Sequence, residues 1–84
     1  MTRRVLVTGA FRGIGAACAL AYARTGARIA LVDIHRPIEM AHAARMSGAT
    51  EVLDLACDIS DDSSVEGLGH SLKSRFGGID VLVH

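Results

Sequence analysis

The chain has 84 residues, half of them apolar, and nine Lys and Arg balance nine Asp and Glu. This composition is too apolar for a disordered segment, and the chain is not basic enough to suggest a nucleic-acid-binding surface. A chain of this length holds one domain at most, near the size where a core becomes marginal. With Phe11, Tyr22 and Phe76 as its only aromatics, that core must come from Val, Ile, Leu and Ala.

In chain order, VLV at 5–7 is a short apolar run bounded by polar residues and Gly9, which predicts a buried strand. Residues 14–25 are alanine-rich, and Gly26 is placed to stop a helix. ARIALVDI at 27–34 reads as a second buried strand. Pro37 can open a helix in its first turn, and IEMAHAARM then runs to Ser47-Gly48. EVLDLACD at 51–58 is the third strand candidate. Ser60 is an expected N-cap, with Asp61 and Asp62 in the first turn, where the helix dipole favours negative charge.

Val65, Leu68, Leu72 and Phe76 then share one helical face, although Gly67 and Gly69 each cost that helix about 1 kcal/mol relative to Ala. After Gly77-Gly78, IDVLVH begins a fourth strand. The alternation β-α-β-α-β-α-β with short connections predicts an α/β fold, a Rossmann-like, doubly wound parallel sheet. Right-handed crossovers favour the strand order 3-2-1-4 with helices on both faces. Residues 1–84 are then the amino-terminal, dinucleotide-binding part of a single domain, cut at the fourth strand.

Cys18 and Cys57 match no CxxC or zinc spacing and are read as buried free thiols. His35, His42, His70 and His84 form no HExxH, so no metal site is expected. The amino-terminal MTRRVLVTGAFR lacks an adequate apolar h-region, and no run is long enough to span a membrane. A cytoplasmic protein that binds neither membrane nor nucleic acid is the expectation.

The chemistry concentrates in LVTGAFRGIGAACALAYA, residues 6–23, where Gly9, Gly13 and Gly15 stand at the start of a helix they disfavour. In a doubly wound fold this turn faces the ligand crevice, and helix N-termini bind anions through free backbone N–H groups. Gly9 would allow the tight turn off the strand, and Gly13 would let the backbone approach a pyrophosphate. Gly15 would let the helix pack closely on the strand, helped by Ala17, Cys18 and Ala21 on an inner face. A Walker loop is excluded, because no lysine follows Gly15. The ordinary GxGxxG fingerprint also fails, because Phe11 occupies its second glycine position.

What stands at Thr8–Gly15 is TGxxxGIG, and the chain resembles the short-chain dehydrogenase/reductase family. The resemblance extends to Asp33, at the end of the second strand, and to Cys57-Asp58-Ile59-Ser60, similar to the family's D-[VI]-[ST] segment. GGIDVLVH resembles GxxDxLVNNAG, with His84 at the usual position of the first Asn. The resemblance implies cofactor contacts from Gly9, Phe11, Arg12, Gly13, Ile14 and Gly15 in the loop. It also implies ribose contacts from Asp33 and adenine contacts from Asp58 and Ile59. NAD is the expected cofactor, with NADP less favoured. An alcohol or carbonyl substrate and a homo-oligomeric full-length protein are further implications.

Blander roles stand beside these. Asp33 could pair with Arg36, Asp58 could simply begin the turn before Ser60, and Arg12 could be a solvated loop residue. The family's chemistry uses a tyrosine in YxxxK with a serine and an asparagine. The only tyrosine here is Tyr22, and Gly26 stands where the lysine would be. No catalytic residue is therefore assigned. The chain reads as the cofactor-binding portion of an NAD(P)-dependent oxidoreductase, the alternative being a non-catalytic dinucleotide-binding module. A purified polypeptide of these 84 residues is expected to show no cofactor-dependent oxidation of alcohols, measured as absorbance change at the nicotinamide band.

Overall fold

A computed structural model describes residues 2–84. Strand β1 (Arg4–Thr8) leads to helix α1 (Gly13–Ala23), β2 (Arg28–Asp33), α2 (Ile38–Ser47), β3 (Glu51–Ala56), α3 (Asp62–Phe76) and β4 (Val81–Val83). The strands form one parallel sheet in the order β3-β2-β1-β4. The predicted architecture and strand order are those observed.

Side chains alternate across the sheet, and each face has its own core. Val5, Val7, Ile29, Leu31 and Val52 pack against Ala19 and Ala23 of α1 and Ala41 and Ala44 of α2. Alanines at these contacts let both helices lie close to the strands, which compensates for the shortage of aromatics. On the opposite face Leu6, Ala30 and Leu53 meet Leu68, Leu72 and Phe76 of α3. Helices thus cover both faces. The inner face of α1 differs from the expected one: Ala17 and Ala21 are exposed, and Ala19 and Ala23 are the buried pair. Alanine is equally compatible with either environment, so periodicity alone could not orient an almost uniformly apolar helix. Of the two thiols, Cys57 is buried, whereas Cys18 is half-exposed.

Two details of α2 and α3 also depart from expectation. Pro37 is the N-cap of α2 rather than a residue of its first turn. Asp61, not Ser60, caps α3, its carboxylate accepting the Ser63 N–H at 3.1 Å. Ser60 is already engaged, because its N–H and hydroxyl both donate to Asp58 Oδ1, at 3.0 and 2.6 Å. Of the apolar face of α3, Leu72 and Phe76 are buried, but Val65 is 43% exposed. A groove lined by Ser63, Ser64, Gly67 and Leu68 separates the first half of the helix from Leu55 and Ala56 of β3. Packing against the sheet therefore runs from Leu68 to Phe76, and α3 continues through Gly67 and Gly69 without a break.

A bidentate ion pair joins the first strand to the residue that precedes the last one. Arg4 Nε and Nη2 donate to Asp80 Oδ2 and Oδ1 at 3.1 and 3.0 Å, and the Arg4 N–H also donates to Oδ2 at 2.8 Å. Hydrogen bonding from the Arg4 side chain, then from its backbone, pulls the Asp80 pKa down to about 2. A carboxyl depressed in the folded state stabilises above its unfolded pKa, and that contribution disappears as pH falls toward the folded value. The stability gap between the parent and Asp80→Asn should therefore be constant above about pH 5 and shrink between pH 4 and 2. Thermal unfolding of both proteins across this range checks it, and a gap independent of pH would show that the pair contributes nothing.

Candidate functional site

The carboxyl ends of β1, β2 and β3 open into a crevice lined by Thr8, Gly9, Val32, Asp33, Ile34, Cys57, Asp58 and Ile59. Its volume, ≈ 210 Å³, is below the roughly 300–1,000 Å³ of whole ligand pockets and suits part of a larger ligand. The position is the one where open parallel sheets hold ligands.

Gly9 and Gly13 have φ of 65° and 71°, a region that disfavours side chains. Among the described residues, none beyond the chain neighbours comes within 4 Å of where a Cβ on either would lie, so space is left outside the loop. Gly15 is constrained differently. A Cβ there would overlap the Gly9 carbonyl oxygen and lie 2.9 Å from the Gly9 carbonyl carbon. The glycine permits α1 to start directly against the end of β1, as its position in TGxxxGIG implied.

The amino terminus of α1 lacks what the other helices have. Arg12, in the N-cap position, makes no side-chain cap, and the first turn contains no acid. By contrast, α3 has Asp61 and Asp62, and α2 has Glu39. A helix start with open space around it and no anionic side chain of its own fits an external anion such as a pyrophosphate.

Asp33 closes the other side. Its Oδ2 accepts the Phe11 N–H at 3.0 Å and its Oδ1 accepts the Ile34 N–H at 2.7 Å. One carboxylate thus ties the glycine loop to the end of β2, and each oxygen keeps a lone pair for a ligand hydroxyl. It does not pair with Arg36, whose Nε instead donates to Asp54 at 2.7 Å. Phe11 is half-exposed, meets His35 edge-on at 6.4 Å between centroids, and has the Arg12 guanidinium 5.9 Å from its ring centre.

Asp58 makes the turn before Ser60 that was one of the roles considered for it. Its Oδ1 closes a turn onto Ser60, and the Ser60 hydroxyl, then the Ser60 N–H, lower its pKa. It also lines the crevice beside Ile59, which is 51% exposed. Cys57, beneath them, has its pKa raised, by burial first and then by Asp58 and Asp61, which keeps it a neutral thiol.

Of the residues singled out from sequence, Gly9, Asp33, Asp58 and Ile59 line the crevice together, and Phe11 is joined to it through Asp33. Arg12, Gly13 and Ile14 lie beside it at the loop tip and helix start, and Gly15 sits at the helix–strand contact. Thr8, Val32, Ile34 and Cys57 were missed as lining residues. Their signal was positional, since each immediately adjoins a residue that was identified. His84, in place of the usual asparagine, has its Nδ1 2.8 Å from the Thr8 hydroxyl. Tyr22 packs against the core of α1, α2 and the sheet.

Fold and loop together define the doubly wound, Rossmann-like class. A family model described as enoyl-(acyl carrier protein) reductase matches residues 9–84. The chain is 46% identical over 80 residues to D-threitol dehydrogenase of Mycolicibacterium smegmatis, covering 94% of this chain and 31% of that protein. It is 40% identical over 82 residues to sorbitol dehydrogenase of Cereibacter sphaeroides, covering 98% and 31%. The structure of NAD+-bound xylitol dehydrogenase superposes with a TM-score of 0.89 at 36% identity, covering 95% of this chain and 31% of that one. The chain belongs to the short-chain dehydrogenase/reductase family. It spans about a third of the length of these relatives.

Gly15→Ala should cost at least the roughly 1–3 kcal/mol of an overpacked core, because the obstructing atoms are backbone. Gly67→Ala, in α3 with no neighbour within 4 Å of the new methyl, should instead stabilise by about 1 kcal/mol. Urea unfolding of the two variants checks the contrast.

Proposed function

We propose that this chain is the amino-terminal, cofactor-binding part of an NAD-dependent oxidoreductase interconverting alcohols and carbonyls. The observation that carries the reading is the Asp33 carboxylate, fixed by the Phe11 and Ile34 N–H groups at the mouth of the glycine loop. The bound nicotinamide cofactor supplies the hydride acceptor or donor. Every contribution of this chain is to hold and orient it.

The first-turn N–H groups of α1, reached past Gly9, Gly13 and Ile14, would take the pyrophosphate, and Gly15 keeps that helix end in place. Asp33 would accept the 2′- and 3′-hydroxyls of the adenosine ribose. Asp58 and Ile59 would border the adenine. Arg12 is exposed, and its attraction for a phosphate is shared with solvent. A 2′-phosphate, by contrast, would meet Asp33 at close range, a repulsion worth a few kcal/mol in a partly desolvated site. This favours NAD over NADP.

Acid–base chemistry falls to residues outside these 84, since no serine–tyrosine–lysine set exists here. The relatives named for threitol and sorbitol make polyols the first substrates to assay. No described helix is long and apolar enough to cross a membrane, and a cytoplasmic homo-oligomer is the form proposed for the full-length protein.

The full-length protein should bind NAD at least tenfold more tightly than NADP, and Asp33→Ala should narrow or reverse that ratio. Calorimetric titration with both cofactors measures it. Tighter NADP binding by the parent would show that Arg12 sets the preference. Binding without turnover of any polyol or other alcohol would favour a non-catalytic module.

A further inference from the structure

Asp54 is the one charged residue among the buried residues described. It follows Val52 on the face of β3 that packs toward α2, a position where strand alternation calls for an apolar side chain. Removing a carboxylate from water is costly unless it is paired. Its Oδ2 accepts from Arg36 Nε at 2.7 Å, and its Oδ1 lies 3.9 Å from Arg45 Nη2.

Arg36 is three residues beyond Asp33 and shares a small cavity with Phe11, the residue whose N–H holds Asp33. A guanidinium rooted there and turned toward the crevice would attract a 2′-phosphate and offset the repulsion from Asp33. Arg36 is instead turned to the outer side of β3, where it lines a groove with Arg45 and Asp54, and it does not line the crevice. Its side chain is 61% exposed, and Asp54 is its one side-chain hydrogen-bond and ion-pair partner among the described residues.

We propose that Asp54 is a specificity-determining positioning residue: it holds Arg36 away from the adenosine ribose, leaving Asp33 alone to meet the 2′ position. The inference rests on the ribose assignment of the Asp33 crevice. A carboxylate that merely ties α2 to β3 through Arg45 would have no such effect on ligand choice.

The test titrates the full-length protein with 5′-AMP and 2′,5′-ADP, which differ by the 2′-phosphate alone. Asp54→Asn should raise affinity for 2′,5′-ADP roughly two- to fivefold, the effect of one exposed charge pair, and leave 5′-AMP binding unchanged. Adding Arg36→Gln should abolish the gain. Arg36→Gln alone, a change at an exposed side chain, should leave 2′,5′-ADP binding unchanged and gives a reading even if Asp54→Asn does not fold. An equal effect on both ligands, a gain that survives loss of Arg36, or weakened 2′,5′-ADP binding in Arg36→Gln alone would overturn the role of Asp54. Failure of the parent to bind either nucleotide would overturn the ribose assignment itself, and this inference with it.

Discussion

The contact between Gly15 and the Gly9 carbonyl is the constraint on which the rest of the site depends. It brings the first turn of α1 onto the end of β1 with no side chain between them. That closeness places the uncapped helix start at the crevice and folds the intervening loop outward into open space. Phe11 then comes to lie where its N–H reaches Asp33. A bulkier residue at position 15 would displace both the helix end and the loop that Asp33 secures.

Three acids at the carboxyl ends and on the inner side of the sheet show how one side-chain type takes different parts. Asp33 is held by backbone N–H groups and stays open to a ligand. Asp58 spends one oxygen on Ser60 and shapes the turn into α3. Asp54 is buried and satisfied by arginines. Their sequence contexts are similar, each being an acid next to aliphatic residues. Only the partners distinguish them, and those partners come from other elements.

That difference marks how far the sequence could be read. Strand identities followed from dense Val, Ile and Leu runs, and the order from the handedness of parallel crossovers. The glycine loop was legible because TGxxxGIG, between a strand and an alanine-rich helix, resembles the family's loop. The orientation of α1 was not, since a helix of alanines has no polar face to mark which side is out. Nor was the α3 cap, because Ser60 and Asp61 are both good caps, and the choice was made by a hydrogen bond from Ser60 to Asp58. The Arg36–Asp54 pair was hidden for the same reason: nothing local ties residue 36 to residue 54 until β2 and β3 are paired.

Strand β1 is central in space, and its neighbours are far from equal in chain distance. Val5 meets Ile29 after one crossover, but meets Val81 only once two further helices and β3 have been laid down. Closing the shorter loop costs less entropy, so the β1–β2 pairing is favoured to form first. The same event sets the Gly15 contact and brings Phe11 to Asp33. The glycine loop is therefore favoured to take its shape before β4 is added, and its geometry does not wait for the sheet to be completed.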